Sequence, residues 1–350
     1  MEEYMKGKGA QINVANRFLK QSVTFEHEEG LDEPALTGRP RTEIFYETPK
    51  KIISENDSPD LSFVHSVNPY QGCEHGCIYC YARNSHEYWG FSAGLDFETK
   101  IIAKKNAAER LEKQFLNRNW RPTSIMLSGN TDCYQPLEKK LKITRSLLEV
   151  FVKYRNPVGI ITKNALITRD IDLLKTLAED QLVHVYFSIT TLDESLRQRM
   201  EPRTASAARK LDAIKRLSDA GIPVGIMNAP IIPGLNHHEI PQVLESAAKA
   251  GARSAGYTIV RLNGQIAEIT KDWLVKNFPE RANKVWNLIS AMHGGQVNDS
   301  EWGRRMTGSG NYAEIIDQLF QTSVKRYYTG RSMPPYDVTR FRRGGNYKLF

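Results

Sequence analysis

Asn68-Pro-Tyr-Gln-Gly-Cys73-Glu-His-Gly-Cys77-Ile-Tyr-Cys80 is the stretch of this sequence that decides the fold, and it holds three cysteines in the spacing C-x3-C-x2-C. It begins where an apolar, β-branched run predicts the end of a strand over residues 63–68. Three thiols within eight residues are too closely spaced to be unrelated core side chains. Their position just after a strand predicts a metal centre at one end of a sheet.

The spacing alone leaves the kind of metal open. The chain has four cysteines in 350 residues, which is too few for a disulfide scaffold, and a cytoplasmic protein keeps its thiols reduced. Thiolates bind zinc or iron–sulfur clusters. A structural zinc site closes with four ligands, and His75 or Cys133 would then supply the fourth. A [4Fe–4S] cluster would instead use only the three closely spaced cysteines and leave one iron open for a substrate or cofactor.

The bulk composition excludes several classes of protein. Hydrophobic residues make up 40% and charged residues 25% of the chain, and the mean hydropathy is −0.48. No run approaches the roughly 18 consecutive apolar residues of a membrane helix, and residues 1–6 lack the apolar segment of a secretory signal. We therefore expect a cytoplasmic enzyme or binding protein with no membrane association.

Short apolar runs alternate with amphipathic segments through the middle of the chain. The runs are rich in β-branched and aromatic residues, as buried parallel strands are, and the segments between them have the apolar spacing of helices. This alternation predicts an α/β fold, a partial (β/α)6 TIM-like barrel, with a doubly wound sheet as the alternative. Both folds place chemistry at the carboxyl ends of the strands. The predicted strands are 63–68, 124–127, 158–162, 183–189, 223–228 and 256–260, and the predicted helices are 105–117, 142–154, 170–178, 206–220 and 240–250.

The remaining chain divides into three parts. The N-terminal part is punctuated by Gly and Pro and predicts an extended arm that packs on the barrel. After the barrel, helices that include 272–277 and 313–324 predict a helical C-terminal extension, and a basic flexible tail follows it. The predicted boundaries are 1–60 for the arm, 61–262 for the barrel, 263–330 for the extension and 331–350 for the tail.

The cysteine spacing, with Tyr79 directly before the third cysteine, resembles the signature of the radical SAM superfamily. Four further sequence motifs are similar to those of the group related to spore photoproduct lyase. We identify the chain as a member of a subgroup related to that lyase rather than as the lyase itself. These motifs are Asn-Pro-Tyr-Gln-Gly-Cys at 68–73, Tyr-Ala-Arg at 81–83, Gly-Leu-Asp-Phe-Glu at 94–98 and Glu-Pro-Arg at 201–203.

This resemblance implies a fold, two cofactors and a type of reaction. The superfamily has a partial (β/α)6 barrel. One [4Fe–4S] cluster would bind to Cys73, Cys77 and Cys80, and its open iron would chelate the amino and carboxylate groups of S-adenosylmethionine. One electron, from a reductant such as flavodoxin or ferredoxin, would cleave the sulfonium to methionine and a 5′-deoxyadenosyl radical that abstracts hydrogen from the substrate. The protein would contribute positioning and exclusion of water.

The resemblance also assigns cofactor-binding residues at the catalytic face. The turn 128–131 follows the second predicted strand, where the superfamily keeps small residues against the amino group of the cofactor. An ordinary strand-to-helix turn is the alternative. Arg203 is expected to pair with the cofactor carboxylate, because guanidinium and carboxylate groups bind each other bidentately. The predicted cofactor-binding residues are Tyr79, Ser128, Gly129, Asn130, Thr131, Lys163, Ser188, Arg203 and Asn228.

Cys133 and Tyr134 are the candidate catalytic residues beyond the cysteine triplet. They lie in a predicted loop on the same face, and spore photoproduct lyase is known for a hydrogen-donating cysteine in the corresponding loop. The resemblance therefore implies that the Cys133 thiol quenches a substrate radical and that Tyr134 relays the electron. A free cysteine more often fills a core position, but the predicted loop location argues against that interpretation.

Positive charge is concentrated at the end of the chain. The formal net charge is +8, and residues 325–350 hold seven Lys or Arg and one acid, with aromatic residues between them. This pattern is typical of a nucleic-acid partner, and a solvated, poorly ordered terminus is the alternative that the sequence leaves open. The ending, residues 346–350, resembles the peptide by which bacterial DNA-repair proteins bind the replication sliding clamp, with docking on the enzyme's own barrel as the alternative.

Two functions remain open on the sequence, and a third is remote. The first is a radical SAM enzyme that acts on nucleic acid in a lyase, repair or modification reaction. The alternative is the same chemistry on a peptide or a small metabolite. The remote interpretation is a non-catalytic zinc module that binds nucleic acid, which colour would distinguish because an iron–sulfur protein is brown.

Overall fold

Two sheets and a set of covering helices make up the chain in the computed structural model, which describes residues 4–19, 41–61 and 63–345. The strands are β1 Glu43–Glu47, β2 Ile53–Glu55, β3 His65–Val67, β4 Tyr70–Gln71, β5 Lys100–Lys104, β6 Ile125–Leu127, β7 Val158–Thr162, β8 Val183–Ser188, β9 Val224–Ile231 and β10 Ser254–Ile259. The α-helices are α1 Asp96–Thr99, α2 Ala107–Leu116, α3 Glu138–Leu141, α4 Ile143–Tyr154, α5 Ile171–Glu179, α6 Glu194–Met200, α7 Ala207–Asp219, α8 Ile240–Lys249, α9 Ile266–Asn277, α10 Ala282–Met292 and α11 Asn311–Tyr327.

The larger sheet is the predicted partial barrel. Its strand order is β10-β9-β8-β7-β6-β3-β2, and six of these strands, β3 and β6 to β10, run parallel. Each successive parallel strand adds to the same side of the one before it, whereas a doubly wound sheet reverses direction at a switch point. The (β/α)6 prediction is therefore confirmed over the doubly wound alternative.

Burial on both faces explains why these segments are parallel strands. β7 and β8 are buried at nearly every position, as expected for strands that side chains of the barrel interior cover on one face and helices on the other. The helices present apolar faces inward, as α4 does with Leu147, Leu148 and Phe151. The six predicted strands and five predicted helices of the barrel all form, with ends that differ by a few residues.

A second, three-stranded sheet was not predicted. Its order is β1-β5-β4, and β1 of the N-terminal arm pairs parallel with β5. The arm segment that contains β1 is largely exposed and lies among Gly and Pro residues, so its periodicity is weak. Residues 20–40 of the predicted arm lie outside the described residues.

The helical extension follows the barrel as α9, α10 and α11. The predicted 272–277 helix is only the second half of α9, and the predicted 313–324 helix lies within α11. Between them, residues 297–308 run beside the end of β10, where Ile259 and Leu262 donate backbone hydrogen bonds to Met306 and Val297.

This loop joins the two edges of the open barrel. The guanidinium of Arg305 pairs with the carboxylate of Asp60, which lies just beyond edge strand β2. The Gly303 amide donates to the same carboxylate at 2.8 Å. The open side of the barrel is thus bridged by an ion pair rather than by strand pairing.

The described part of the tail, residues 331–345, contacts the barrel and its helices, and its predicted flexibility stays a prediction. Arg331 donates to the Ala248 and Ala252 carbonyls at the end of α8, at 2.6 and 2.9 Å. Tyr336 stacks on His184 with ring centroids 4.0 Å apart. The physical reason is that helix ends leave carbonyl groups without partners, and the tail arginines satisfy them. Residues 346–350, with the clamp-like ending, lie outside the described residues.

Among the described residues, no helix is both long enough and apolar enough to cross a membrane.

Candidate active site

The three cysteines lie in a buried loop that leaves the carboxyl end of β3. Cys73 and Cys77 are buried, Cys80 is partly exposed, and all three are free thiols. Burial raises the pKa of each, and for Cys73 the Asp132 carboxylate and the other two thiols raise it further. The thiols therefore lie close enough to influence one another, and they are protonated until a metal displaces their protons.

These residues fit an iron–sulfur cluster better than a single zinc ion. The ring of His75, a candidate fourth zinc ligand, instead lies 3.3 Å from Asp132 Oδ2 through Nδ1 and 3.3 Å from Asn164 Nδ2 through Nε2. Three cysteines without a fourth protein ligand are the donor set of a cluster with one open position.

A buried polar network holds the cysteine loop from inside the barrel. The Tyr79 hydroxyl donates to Glu201 Oε2 and lies 3.1 Å from the hydroxyl of Thr190. Lys210 Nζ lies 2.9 Å from Glu201 Oε1, and Lys163 Nζ lies 3.6 Å from Oε2. Burial alone would raise the pKa of Glu201, but the two ammonium groups and the hydroxyl outweigh it and hold that pKa below its usual range. Glu201 is therefore ionised at neutral pH.

Two predicted cofactor residues meet at the ends of consecutive strands, and a third lies on the next strand. Lys163 follows β7, and its ammonium group donates to the hydroxyl of Ser188 at the end of β8. Asn228 of β9 is buried and donates through Nδ2 to the Ile189 carbonyl at 2.8 Å, while its Oδ1 has no hydrogen-bond partner. A buried acceptor without a partner is costly unless a ligand satisfies it. The strand ends thus bring Lys163 and Ser188 together, and Asn228 has one acceptor without a partner; its contact with a cofactor stays a prediction.

The turn after β6 has a strained backbone, a position that only glycine fits, and a hydrogen bond to the cysteine loop. Ser128 has φ of 82°, a left-handed conformation that is strained for a residue with a side chain. A Cβ on Gly129 would lie 2.9 Å from Ser66 Cβ, so only glycine fits there without a shift of Ser66. The Gly129 carbonyl accepts a hydrogen bond from Tyr81, the residue after Cys80. The turn is therefore bonded to the cysteine loop.

The other two turn residues are bonded to the segment that enters the cysteine loop. The Asn130 amide donates to Asn68 Oδ1 at 2.6 Å, and the Thr131 hydroxyl donates to the Tyr70 carbonyl at 2.7 Å. The structure thus brings all four predicted turn residues beside the cysteine loop, as the resemblance implied. Their contacts with a cofactor stay a prediction.

Arg203 already has a carboxylate partner in the protein. Its guanidinium lies 3.2 Å from Glu74 Oε1, and its backbone amide donates to the His75 carbonyl at 3.2 Å. Arg203 therefore lies against the cysteine loop, as expected. Its assignment to the cofactor carboxylate stays a prediction, because Glu74 occupies the guanidinium in this structure.

Cys133 and Tyr134 lie in the core, as the alternative interpretation of Cys133 as a core-filling residue expects. Both are fully buried in the main hydrophobic cluster. The Tyr134 hydroxyl donates to Asp170 Oδ2 at 3.1 Å, and burial together with Asp170 raises the pKa of this phenol. The physical reason is that the backbone groups of this segment have partners in the core: the Cys133 amide donates to Ser128 Oγ at 2.8 Å, and its carbonyl accepts from the Thr144 hydroxyl at 2.6 Å. A catalytic role of either residue stays a prediction.

Several residues of the site were not found from the sequence. Glu201 lies in the Glu-Pro-Arg motif, of which only the arginine was assigned a role. Lys210 is on an amphipathic helix, where a lysine normally signals the exposed face, so it gave no signal at all. Asp132 accepts from the Thr162 hydroxyl and the Lys163 amide, both at 2.7 Å, and its only signal was its place beside Cys133.

Comparison with known proteins defines the class. The family model of the radical SAM superfamily matches residues 67–247, and the chain belongs to this superfamily. It is therefore a radical SAM enzyme, and membership implies S-adenosylmethionine and an iron–sulfur cluster as cofactors.

Several individual proteins are similar to this chain over most of its length. It is 31% identical over 230 residues to an uncharacterized protein of Mycobacterium tuberculosis, which spans 65% of this chain and 68% of the relative. It is 28% identical to an uncharacterized protein of Methanocaldococcus jannaschii, in a match that covers 71% of this chain and 88% of the relative. It is 24% identical to the radical SAM Nα-GlyT isomerase of Pseudomonas phage M6, in a match that covers 79% of this chain and 56% of the relative.

Among solved structures, the chain resembles spore photoproduct lyase with bound AdoMet and dinucleoside spore photoproduct. The TM-score is 0.57 at 14% sequence identity, over 82% of this chain and 80% of the lyase. This likeness confirms the predicted fold, which the chain shares with spore photoproduct lyase.

Proposed function

We propose that this protein binds one [4Fe–4S] cluster through Cys73, Cys77 and Cys80 and uses it to cleave S-adenosylmethionine reductively, which starts hydrogen abstraction from a nucleic-acid substrate. The observation that carries the proposal is the group of three free thiols in one short buried loop, with the Lys163 ammonium group 5.5 Å from the ring centroid of Tyr79 in that loop. When bound, the two cofactors supply the radical chemistry.

The chain's own residues would hold and shield that centre. The three thiolates bind the metal, and Tyr79 is fixed by Glu201, so the loop between the second and third cysteine keeps its shape. Asn228 Oδ1 is oriented by the bond from its own Nδ2 and is ready to accept from a polar cofactor atom. Burial of Cys73 and Cys77 keeps water from the reactive centre.

The substrate class is supported by charge and by the known ligands of similar proteins. The net charge of +8 favours a polyanionic substrate. The similar lyase structure holds a dinucleoside spore photoproduct, and the phage relative is an Nα-GlyT isomerase. We propose a one-electron carrier such as flavodoxin or ferredoxin as the reductant. A peptide or small-metabolite substrate is the outcome that would replace the nucleic acid.

Anaerobic reconstitution tests the cofactor part of this proposal. We expect four irons and four sulfides per chain, a [4Fe–4S] signal on reduction, and release of 5′-deoxyadenosine from S-adenosylmethionine. Changing Cys73, Cys77 or Cys80 to Ala should abolish both the cluster and the cleavage, whereas Cys133→Ala, the fourth cysteine, should keep its iron. A protein that takes up zinc and no iron would overturn the assignment.

A further inference from the structure

A cationic cleft lies beside the reaction site, and none of the residues assigned so far explains it. It has a volume of about 470 Å³ and opens between the segment after β6, the turn of 3-10 helix at Ala165–Asp170, and α7. Four cationic side chains from these three elements line it, and no carboxylate does. The residues that the argument uses are Lys139, Asn164, Thr168, Arg169, Arg209 and Arg216.

Most of the positive charge in this cleft is not neutralised by the protein. Arg169 is fixed by Glu138 Oε1 and Asp170 Oδ2, both at 2.7 Å. Arg216 contacts only the Thr168 hydroxyl, at 3.4 Å. Lys139 and Arg209 are exposed, and within the described part of the chain neither they nor Arg216 form an ion pair.

The carboxylates around Arg169 and Arg145 are already shared between these two cations. Glu138 and Asp170 are buried. Asp170 binds Arg145 at 2.9 Å in addition to Arg169. Asp172 binds the same Arg145 at 2.7 Å. The cleft therefore has a fixed guanidinium on one wall and three free cations around its opening.

The cleft and the interior of the barrel are lined by adjacent residues of one segment. Lys163 reaches inward to Ser188, while the next residue, Asn164, lines the cleft, as expected where successive side chains of an extended segment point to opposite sides. Asn164 Nδ2 also lies 3.3 Å from the ring of His75, within the cysteine loop. A group held in this cleft would lie beside the cluster-binding loop and the cofactor residues.

We propose that this cleft binds the phosphodiester backbone of the nucleic-acid substrate next to the nucleotide that enters the barrel. This inference rests on the nucleic-acid part of the proposed function and names the residues that recognise the polymer. Several cations from separate elements, facing one cavity without a carboxylate, match phosphate oxygens, which arginine binds through parallel hydrogen bonds. The cavity size suits a nucleotide-sized group.

The basic tail is a weaker candidate for the same task. Arg343 donates to the Phe115 and Trp120 carbonyls at 3.2 and 3.0 Å, and Arg331 caps α8. These arginines are occupied by helix ends, whereas Lys139, Arg209 and Arg216 are not. The cleft thus holds cationic side chains that helix ends do not occupy, unlike Arg331 and Arg343.

The test is binding of a short fluorescein-labelled single-stranded DNA to the reconstituted full chain, measured by anisotropy from about 50 to 200 mM salt. The variants Lys139→Gln, Arg209→Gln and Arg216→Gln each remove one lining cation. Lys140→Gln and Lys215→Gln are matched controls, since both residues are exposed on the same elements but do not line the cleft. We expect each lining variant to lose roughly tenfold in affinity and to lower the salt slope by about one, and the controls to change less than about twofold.

Each outcome bears on a different part of the proposal. If DNA binds but the lining variants behave like the controls, the cleft is not the phosphate site, and the nucleic-acid function itself stands. If the wild-type chain binds neither DNA nor RNA while it still cleaves S-adenosylmethionine, the nucleic-acid substrate and the cleft assignment both fail. If polyglutamate displaces DNA as well as unlabelled DNA does, the cleft is a general anion surface, and phosphate recognition is overturned.

Discussion

The carboxylate of Glu201 accepts a hydrogen bond from the hydroxyl of Tyr79, the residue directly before the third cysteine. Glu201 follows α6, and the two residues are 122 positions apart in the sequence. Through Lys210, the same carboxylate is also ion-paired to α7. The shape of the cysteine loop therefore depends on a charge network in the barrel interior as well as on the loop sequence.

Glu201→Gln should destabilise the protein strongly at neutral pH. Removing one member of a buried ion pair leaves Lys210 without its counter-charge, which costs roughly 3–5 kcal/mol. Because the pKa of Glu201 is held below its usual 4.5, the ionised carboxylate stabilises the fold above about pH 4.5, and this contribution is lost as the pH falls further. The difference in unfolding free energy between wild type and variant, measured by denaturant titration, should therefore shrink in acid. A difference that is constant from neutral pH into acid would contradict the assignment.

Arg83→Met should release the N-terminal arm. Arg83 and Glu98 form a fully buried pair at 2.6 Å, and Glu98 also accepts from the Gly9 and Ala10 amides at 3.1 and 2.8 Å. A buried Glu98 carboxylate without its counter-charge is costly, so the segment that it holds should open more readily. Hydrogen exchange should show faster exchange at residues 9–10 than in wild type. The exposed pair Lys113 and Glu109 provides the control, since Lys113→Met should leave the arm protected.

Asn228→Ala should weaken S-adenosylmethionine binding by roughly tenfold while iron content is unchanged, because it removes the unpaired acceptor Oδ1. Asn156→Ala is the control. That residue is also buried, but it bonds to Trp120 at 3.1 Å, away from the cysteine loop, so stability should fall and affinity should not. Isothermal titration calorimetry measures the affinity of both variants, and denaturant titration measures their stability. Equal affinities in wild type and Asn228→Ala would remove this residue from the site.

Arg203→Ala is expected to weaken the same binding, since the cofactor carboxylate would join or replace that of Glu74 at the guanidinium. Titration at unchanged iron content measures the effect. An unaltered affinity would leave Arg203 as the partner of Glu74 alone.

Cys133→Ala should keep the cluster and cofactor cleavage and lose about 1 kcal/mol of stability, as expected for deleting one small buried group. Thermal unfolding measures the second effect. If Cys133 also donates hydrogen, the products of the substrate radical will change in this variant. An identical product distribution would show that the thiol serves packing only.

Arg343→Gln should lower stability by roughly 1 kcal/mol, because carbonyls at the end of α2 lose a cationic donor. Arg342→Gln is the matched control, since Arg342 is exposed and bonds to Tyr154 through its backbone only. Denaturant titration of both variants should separate them. Equal stabilities would mean that the tail is not held by Arg343.

Local patterns determined the fold and the metal-binding loop. The βα alternation is visible because strands and helices that share a core repeat their apolar residues at fixed short spacings. Likewise, Cys73, Cys77 and Cys80 belong to one short loop, so their spacing alone indicates that they bind one centre. The contact between Lys163 and Ser188 followed from the rule that parallel strands end on one face.

Only the tertiary structure decided which of these polar groups are paired. The partners of Tyr79, Arg203 and Tyr134 come from distant segments, and a single sequence carries no pattern for such pairs. The buried position of Lys210 shows the reason, because its charge is stabilised by Glu201 across the barrel interior and not by any neighbour in its own helix. The tail behaves in the same way: its composition indicates a free polycation, but unpaired carbonyls at the ends of α2 and α8 bind its arginines. Charge and hydrogen-bond satisfaction in a folded protein depend on contacts made after the chain has packed, and sequence spacing does not record them.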